Sequence, residues 1–344
     1  MFNRLHIELE NDTVRYIYGS IAGGKINIRN WGMKHLMPGC FVNGKVADEA
    51  EFTRALTELK KEIGKIRGSV HLTVNDGSFI TRPVELPVMK DKDIEKHLSM
   101  EAEQYLPINS SDFQMSFRTI GRNTKDEEPG NSVMVSAGPR ESISNILKCF
   151  DSCKLNVKLM DVYPNNICRL LRQPEENDYA VVDMRRNNVN ITIFEDRKFY
   201  MHSYLPVNFE ALFDEYIKDN GIIKDEFLQE YFYGSYSFVY INQDETEMEE
   251  KLRENLSGTL RQITRYLDYF NSRHFGKTVD NVYIIGENGM LKGLKDVLGV
   301  SFNTKVTIGL EAFDMRYSIV DRAFLREQLG YYGILGMMLR GKSR

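Results

Sequence analysis

The chain has 344 residues, of which 42% are hydrophobic, and a formal net charge of -4 at pH 7. This length predicts about two domains with a large core, and the mixed charges give no electrostatic reason to expect a nucleic-acid partner. The 4 cysteines are too few for a disulfide framework. The charged N-terminal segment lacks the apolar core of a signal peptide and no long apolar run occurs, so we expect a cytosolic protein.

Residues 1–78 are predicted to form three strands, a helix and a fourth strand. The turn-forming pairs Asn11-Asp12 and Gly23-Gly24 separate the first three strands. The helix has apolar residues at helical spacing between Phe52 and Ile66. The four predicted strands are Leu5–Leu9, Thr13–Tyr18, Lys25–Met33 and Val70–Val74.

A compact α+β unit is predicted next, with the order strand, helix, strand, strand, helix. These elements are expected at 79–86, 91–106, 113–120, 132–137 and 141–154. The first helix has one apolar face, formed by Ile94, Leu98, Ala102, Tyr105 and Leu106. Asp91 is expected to cap this helix and Pro107 to end it.

The opening order of elements recurs after a polar linker near residue 175, which indicates an internal duplication. The elements predicted around and after this linker are strand Val157–Val162, helix Asn166–Arg172, strands Tyr179–Met184, Val189–Phe194 and Lys198–Leu205, helix Asn208–Lys218, helix Glu245–His274, strand Val282–Ile285 and a helix from Met290. A closing helix is predicted at Tyr317–Arg340. Its line of Gly330, Gly333 and Gly336 indicates close packing against a neighbour, because glycine otherwise lowers helix stability.

Motifs of common enzyme classes are missing from the sequence. There is no G-x-S-x-G elbow, no H-E-x-x-H pair and no dinucleotide fingerprint, and the 6 histidines are scattered. No catalytic residue and no metal ligand is therefore predicted. The turn Gly286-Glu-Asn-Gly289, between a strand and a helix, could hold a phosphate by its backbone amides.

Several stretches resemble the PilM family of type IV pilus assembly proteins. The most specific is Glu101-Ala-Glu-Gln-Tyr-Leu-Pro107, preceded by Ile80–Pro87, and Leu267–Phe270 and Tyr331–Arg340 are similar as well. This resemblance implies an α/β, actin-like fold of two duplicated ribonuclease-H-like halves with an inserted α+β subdomain. The first half would be 1–78, continued by 158–174 and 317–344; the insert would be 79–157; the second half would be 178–310, with a helical insertion at about 219–260.

The resemblance also implies a set of partners. A PilM-like protein holds the N-terminal cytoplasmic tail of a PilN-like membrane protein in a groove beside the inserted subdomain, and works with other pilus platform and motor proteins. The chain would then be cytoplasmic and peripheral at the inner face of the membrane, which it meets only through partners. The residues expected to contact the tail are Val84, Leu86, Leu98, Glu101 and Tyr105.

In this family the cleft between the halves usually binds ATP and magnesium, through phosphate loops written D-I-G-S-S-S-V-K and D-I-G-A-S. Here Glu8 falls on the first Asp, Glu10 on its Gly and Arg15 on its Lys, while Asp183 is kept and Arg185 falls on the second Gly. A degenerate ATP site would use the residues at Glu8, Asn11, Asp183, Asn187, Gly286 and Gly289.

The two lost glycines motivate a hypothesis about the cleft. Two unit charges about 4 Å apart interact by about 4 kcal/mol at an effective dielectric near 20, which is on the order of a thousandfold in affinity. Glu10 and Arg185 are expected to pair where phosphate would lie and to close the cleft without nucleotide. The alternative is that both side chains point outward and ATP binds weakly.

Two functions from different classes therefore stay open. The first is a binding scaffold without turnover, and the second is a nucleotide-switched ATPase of the same machine. A cell-division or type II secretion relative of the same superfold is a third possibility. Loss of the close-approach glycines favours the scaffold, because backbone amides no longer reach phosphates there.

Overall fold

The structure is a computed structural model that describes residues 3–123, 130–170, 176–209, 211, 214–219, 221, 245–274, 277–290, 294–309, 318, 319, 321, 324 and 328–340. Among these residues, every helix is too short or too polar to span a lipid bilayer. The strands of the described part, β1 to β16 in chain order, are Arg4–Leu9, Thr13–Ala22, Lys25–His35, Phe41–Val42, Lys45–Val46, Val70–Val74, Ile80–Pro87, Phe113–Asn123, Gly130–Pro139, Val157–Val162, Tyr179–Met184, Asn188–Glu195, Lys198–Pro206, Asn281–Ile285, Lys305–Ile308 and Ser318–Ile319.

Two sheets repeat one topology, as the recurring element order predicted. The first sheet has the order β10-β6-β1-β2-β3-β16, and the second has the order β13-β12-β11-β14-β15. In each, three consecutive strands pair antiparallel, and the first of them also pairs in parallel with a later strand. The predicted duplication is therefore confirmed at the level of strand order.

Helices cover these sheets, and two of them lie between the sheets. The α-helices of the described residues, α1 to α8 in chain order, are Glu49–Ile63, Asp91–Tyr105, Arg140–Ser152, Tyr163–Leu170, Asp214–Asp219, Glu245–Arg273, Leu294–Phe302 and Tyr332–Met338. Ile167 of α4 and Leu335 of α8 share one apolar cluster with Val181 of the second sheet and with isoleucines of the first. The two halves therefore have a common core.

The predicted close packing at the C-terminal glycine line is confirmed. A Cβ atom on Gly336 would lie 2.0 Å from the backbone oxygen of Asn166 in α4. A Cβ atom on Gly333 would lie 2.2 Å from Oε2 of Glu8 in β1. Helix α8 thus approaches both α4 and the first sheet to a distance that only glycine allows.

Three local predictions are corrected. The closing segment is not one helix from Tyr317, because Ser318–Ile319 is a strand that pairs in parallel with β3 and the α-helix begins only at Tyr332. Asp91 is the first residue of α2 and not its cap; Lys90 holds the cap position without a side-chain hydrogen bond. The helix predicted from Asn208 is described only as Asp214–Asp219. Residues 222–244, where much of the helical insertion was expected, lie outside the described residues.

The predicted α+β unit forms a sheet of its own, in the order β7-β9-β8, with α2 packed on it. Its core joins apolar residues of the sheet to Ile94 and Leu98 of α2. The helix is kinked at Glu101, where φ is -125° and ψ is 16°. Strand β7 lies next to β13 of the second half, so the unit contacts both halves of the molecule.

Candidate functional site

Two equivalent hairpin turns, one in each half, carry the charged residues of the candidate site. The amide of Glu10 donates to the carbonyl of Thr13 at 3.0 Å between β1 and β2, and the amide of Arg185 donates to the carbonyl of Asn188 at 2.9 Å between β11 and β12. Each charged residue is thus the first residue of its turn. Glu8 lies in β1 and is fully buried, and strand alternation directs its side chain away from the apolar core behind the sheet.

Arg185 crosses from the second half to the first. Its side chain is fully buried, and its Nη1 atom forms ion pairs with Oε1 of Glu8 and Oε1 of Glu10. Its Nη2 atom donates to the carbonyl oxygen of Gly330, next to α8. Its Nε atom lies 3.7 Å from Oδ2 of Asp183 within its own half. One guanidinium therefore joins three separate segments of the chain.

Arg15 crosses in the opposite direction, from the first half to the second. Its side chain is 1% exposed, and its Nη1 atom pairs with Oε2 of Glu10. Its Nη2 atom donates to both carboxylate oxygens of Glu287, at 2.9 Å each. Glu287 follows β14 in the second half, so this pair is a second ionic link between the halves.

Neutral groups complete the hydrogen bonding of two carboxylates. Thr13 Oγ1 donates to Oε2 of Glu10 at 3.1 Å, and Asn75 Nδ2 donates to Oε1 of Glu10 at 3.0 Å. The Tyr163 hydroxyl donates to Oδ2 of Asp183 at 2.6 Å. Glu10 is thus surrounded by donors from its own half and by both arginines, an environment that favours its ionised form.

The cluster has more acidic than basic groups. Its carboxylates belong to Glu8, Glu10, Asp183 and Glu287, and its guanidinium groups to Arg15 and Arg185. Burial opposes ionisation of Glu10, but Arg15 and Arg185 outweigh it and hold the pKa of Glu10 below its ordinary value. Burial raises the pKa of Glu8 to about 7 and that of Asp183 to about 6. Near pH 7 the excess negative charge is therefore reduced chiefly by a proton on Glu8.

Comparison with known families decides the affiliation of the chain. A family model described as "Type IV pilus assembly protein PilM" matches residues 7–342. The chain belongs to the PilM family. The predicted family is thereby confirmed, and the match extends over almost the whole chain.

Solved structures establish the fold. The chain is similar to a "PilM-PilN type IV pilus biogenesis complex", with a TM-score of 0.75, 18% identity and 99% of both chains covered. It is also similar to ethanolamine utilization protein EutJ from Carboxydothermus hydrogenoformans, with a TM-score of 0.55, 12% identity and coverage of 98% of this chain and 90% of that one. MreB 5 of Spiroplasma citri, solved bound to AMPPNP, gives a TM-score of 0.51 at 9% identity, with 99% and 96% covered. The predicted actin-like fold is confirmed.

The turn Gly286-Glu-Asn-Gly289 is the third loop of this PilM-family chain, and its two glycines serve packing within the second half. Gly286 has a φ of +93°, and a Cβ atom there would lie 2.3 Å from Oδ1 of Asp183. A Cβ atom on Gly289 would lie 3.0 Å from Cγ2 of Ile284. Gly286 is thus required by neighbouring protein atoms and Gly289 is closely packed on Ile284, so their presence does not by itself indicate a ligand.

The side chains in the two phosphate turns do not fit a magnesium-bound triphosphate. Glu10 and Arg185 are buried against each other at the positions where the family has glycine, and their backbone amides donate to Thr13 and Asn188 within the turns. Asn11 is half-buried in the first turn, and Asn187 in the second turn donates to Asp12 across the cleft. Of the residues predicted for an ATP site, Glu8 and Asp183 belong to the charge cluster and the two asparagines lie at its rim.

The five residues predicted to contact a tail divide into two groups. Three are in the core of the inserted unit, with side chains between its sheet and α2: Val84, Leu86 and Leu98. Glu101 and Tyr105 are half-buried, and Tyr105 packs against that core. His97 Nε2 lies 3.0 Å from the Tyr105 hydroxyl and His97 Nδ1 lies 3.8 Å from Oε1 of Glu101. These three side chains form one row along α2.

Sequence reasoning missed part of the charge cluster. Arg15 and Glu287 were noticed only as departures from the phosphate-loop patterns, and their separation of 272 residues gave no indication that they pair. Tyr163 carried no signal, because it lies between the predicted strand Val157–Val162 and the predicted helix Asn166–Arg172, although the helix itself begins at Tyr163. The only indication that Arg15 and Glu287 pair would have come from comparing the turns of both halves with the loop that begins at Gly286.

Proposed function

We propose that this protein is a scaffold of the type IV pilus platform that binds the N-terminal cytoplasmic tail of a PilN-like membrane protein. The observation that carries the proposal is the filling of both phosphate turns by buried charged side chains of the chain itself. A member of this family without a usable nucleotide site acts by binding. The protein is then cytoplasmic and held at the inner face of the membrane by its partner, beside other platform and motor proteins.

Electrostatics supports binding without turnover. A phosphate placed about 4 Å from the Glu10 carboxylate would be repelled by about 4 kcal/mol at an effective dielectric near 20. Moving Arg185 aside to make room would leave Glu8 without the guanidinium that it contacts, and separating a buried ion pair costs about 3–5 kcal/mol. Both costs oppose phosphate binding at this position, where each hydrogen bond from a backbone amide to a charged phosphate would return only about 1.5–3 kcal/mol.

The similarity to a PilM chain in a PilM-PilN complex supports the choice of partner. We place the tail along the half-buried row of α2, because fully buried core residues are not accessible to a peptide. Tyr105 contributes an aromatic ring and Glu101 a carboxylate, and Met100, which precedes Glu101, is 72% exposed. An apolar and aromatic surface with a few polar groups suits a short peptide whose apolar side chains alternate with polar ones.

Peptide binding tests the proposal. A fluorescein-labelled peptide of the PilN tail is titrated with wild-type protein and with Tyr105→Ala, and fluorescence anisotropy is measured. We expect saturable binding by the wild type and at least about tenfold weaker binding by Tyr105→Ala, because aromatic residues dominate such interfaces. Tyr269→Ala is the matched control, since Tyr269 is 46% exposed on α6 in the other half.

Two outcomes would contradict the proposal. Absence of peptide binding by the folded wild-type protein would refute the scaffold function itself. Equal binding by wild type and by a Tyr105→Ala protein with an unchanged circular dichroism spectrum would refute the placement of the tail on α2. Tyr105→Phe, which keeps the ring and removes the hydroxyl that meets His97, separates the contribution of the ring from that hydrogen bond.

The competing function is a nucleotide-switched ATPase. It is supported by Asp183, which is kept at the second loop, and by the turn that begins at Gly286. ATP hydrolysis by the purified wild-type protein, abolished by Asp183→Asn, would favour this function over the scaffold.

A further inference from the structure

We propose that Arg15 and Arg185 form a reciprocal clamp that holds the two halves together in place of nucleotide. This inference goes beyond tail binding and does not depend on it. It concerns the state of the cleft, and it assigns to protein side chains the bridging role that bound phosphates have in nucleotide-binding relatives.

The first argument is the reciprocity of the links. Arg15 starts in the first half and reaches Glu287 of the second half through both carboxylate oxygens. Arg185 starts in the second half and reaches Glu8 and Glu10 of the first half. Each half thus supplies one cation and receives one, so opening the cleft would separate both sets of ion pairs at once.

The second argument is chemical substitution. Guanidinium groups bind carboxylates and phosphates through the same fork of N–H donors. Glu10 accepts from Arg15, Arg185, Thr13 and Asn75, which is a full set of donors around one anion. The Glu10 carboxylate, in the turn between β1 and β2, therefore fills the position in which a bound anion would be held. A second anion would meet Glu10 and the other carboxylates of the cluster and would be repelled.

The third argument is the continuity of the contact from the interior to the surface. Inside, Arg185 also donates to the carbonyl of Gly330, which ties the clamp to the segment before α8. Outside, Asn187 donates to Asp12 and Arg186 Nη1 lies 3.2 Å from Nε2 of His35. The two hairpin turns are thus in contact at the surface as well as in the interior, and a ligand placed between them would have to separate these contacts.

Nucleotide titration tests the clamp. A fluorescent ATP analogue with magnesium is titrated into the wild-type protein and into the double variant Glu10→Gly, Arg185→Gly. We expect no saturable binding by the wild type up to about 1 mM, and an affinity at least about tenfold higher for the double variant. Arg54→Ala, which removes an exposed arginine of α1 outside the cluster, is the control and should behave as the wild type.

Micromolar binding of the analogue by the wild-type protein would overturn the clamp. Hydrogen exchange on the wild-type protein tests it without any substitution. Amides of the turns 10–13 and 185–188 should exchange slowly in nucleotide-free protein, and Mg-ATP should leave their rates unchanged. Fast exchange that slows by tenfold or more on adding Mg-ATP would also overturn it. Neither experiment uses the PilN tail, so the result of each one can be distinguished from the result of the peptide-binding test of the scaffold function.

Discussion

Replacing Arg185 with alanine should destabilise the protein strongly. The substitution removes the guanidinium that contacts Glu8, Glu10 and the carbonyl of Gly330, all in a region without access to water. Loss of one partner of a buried ion pair costs about 3–5 kcal/mol. Arg15 still pairs with Glu10, but Glu8 loses the cation that it contacts. We therefore expect the full loss at pH 8 and a smaller loss at pH 5, where Glu8 is protonated.

Urea denaturation followed by circular dichroism measures this effect. The unfolding free energy of a typical protein is about 5–15 kcal/mol, so a loss of this size lowers the urea concentration at the unfolding midpoint by a large fraction of its value. Arg54→Ala is the control, because its ion pairs with Glu51 and Glu58 lie at the surface, where such pairs contribute about 0–1 kcal/mol. A loss below about 1 kcal/mol for Arg185→Ala, or a loss equal to that of Arg54→Ala, would refute the reasoning that the buried cluster holds the halves together.

Two further predictions concern pH and packing. Burial raises the pKa of Glu8 to about 7, above its ordinary value of 4.5. The free energy that Glu8 contributes to folding is therefore fully present below its ordinary pKa and is lost as the pH rises through about 7. The melting temperature should therefore fall between about pH 5 and about pH 8, and Glu8→Gln should flatten this fall; a parallel slope in the variant would contradict the assignment. A Cβ atom on Gly336 would lie 2.0 Å from the Asn166 oxygen, whereas nothing lies within 4 Å of one on Gly299. Gly336→Ala should lower the melting temperature markedly, and Gly299→Ala should leave it unchanged or raise it, since alanine favours helix by about 1 kcal/mol; equal effects of the two would contradict the packing of α8.

Local patterns predicted much of the fold. Period-two runs between Asn-Asp and Gly-Gly turns correctly indicated the first three strands, and their recurrence after residue 178 correctly indicated the duplicated sheet order. The pairing of Ser318–Ile319 with β3 was missed, because two strand residues carry no periodicity of their own. The cap was predicted at Asp91, whereas Lys90 holds that position without a side-chain hydrogen bond. The sequence could not distinguish the two, because an acidic residue is favourable both at the cap and in the first turn of a helix.

The candidate site was predictable only where the two turns could be aligned. Glu10 and Arg185 were expected to meet because they occupy equivalent turns, and their side chains do form an ion pair. The contact of Glu287 with Arg15 depends on how the third loop lies over the first sheet, which is a matter of tertiary packing. Whether the pair closes the cleft in solution stays a prediction, as do the domain boundaries and the contacts with a tail.

The most direct measurement is calorimetric titration of the nucleotide-free protein with a PilN tail peptide, repeated in the presence of Mg-ATP. A scaffold whose cleft is held by its own ion pairs should bind the peptide with the same dissociation constant in both conditions, within about twofold. Failure to bind the peptide without nucleotide, or an affinity that changes by about tenfold or more on adding Mg-ATP, would contradict a nucleotide-independent scaffold.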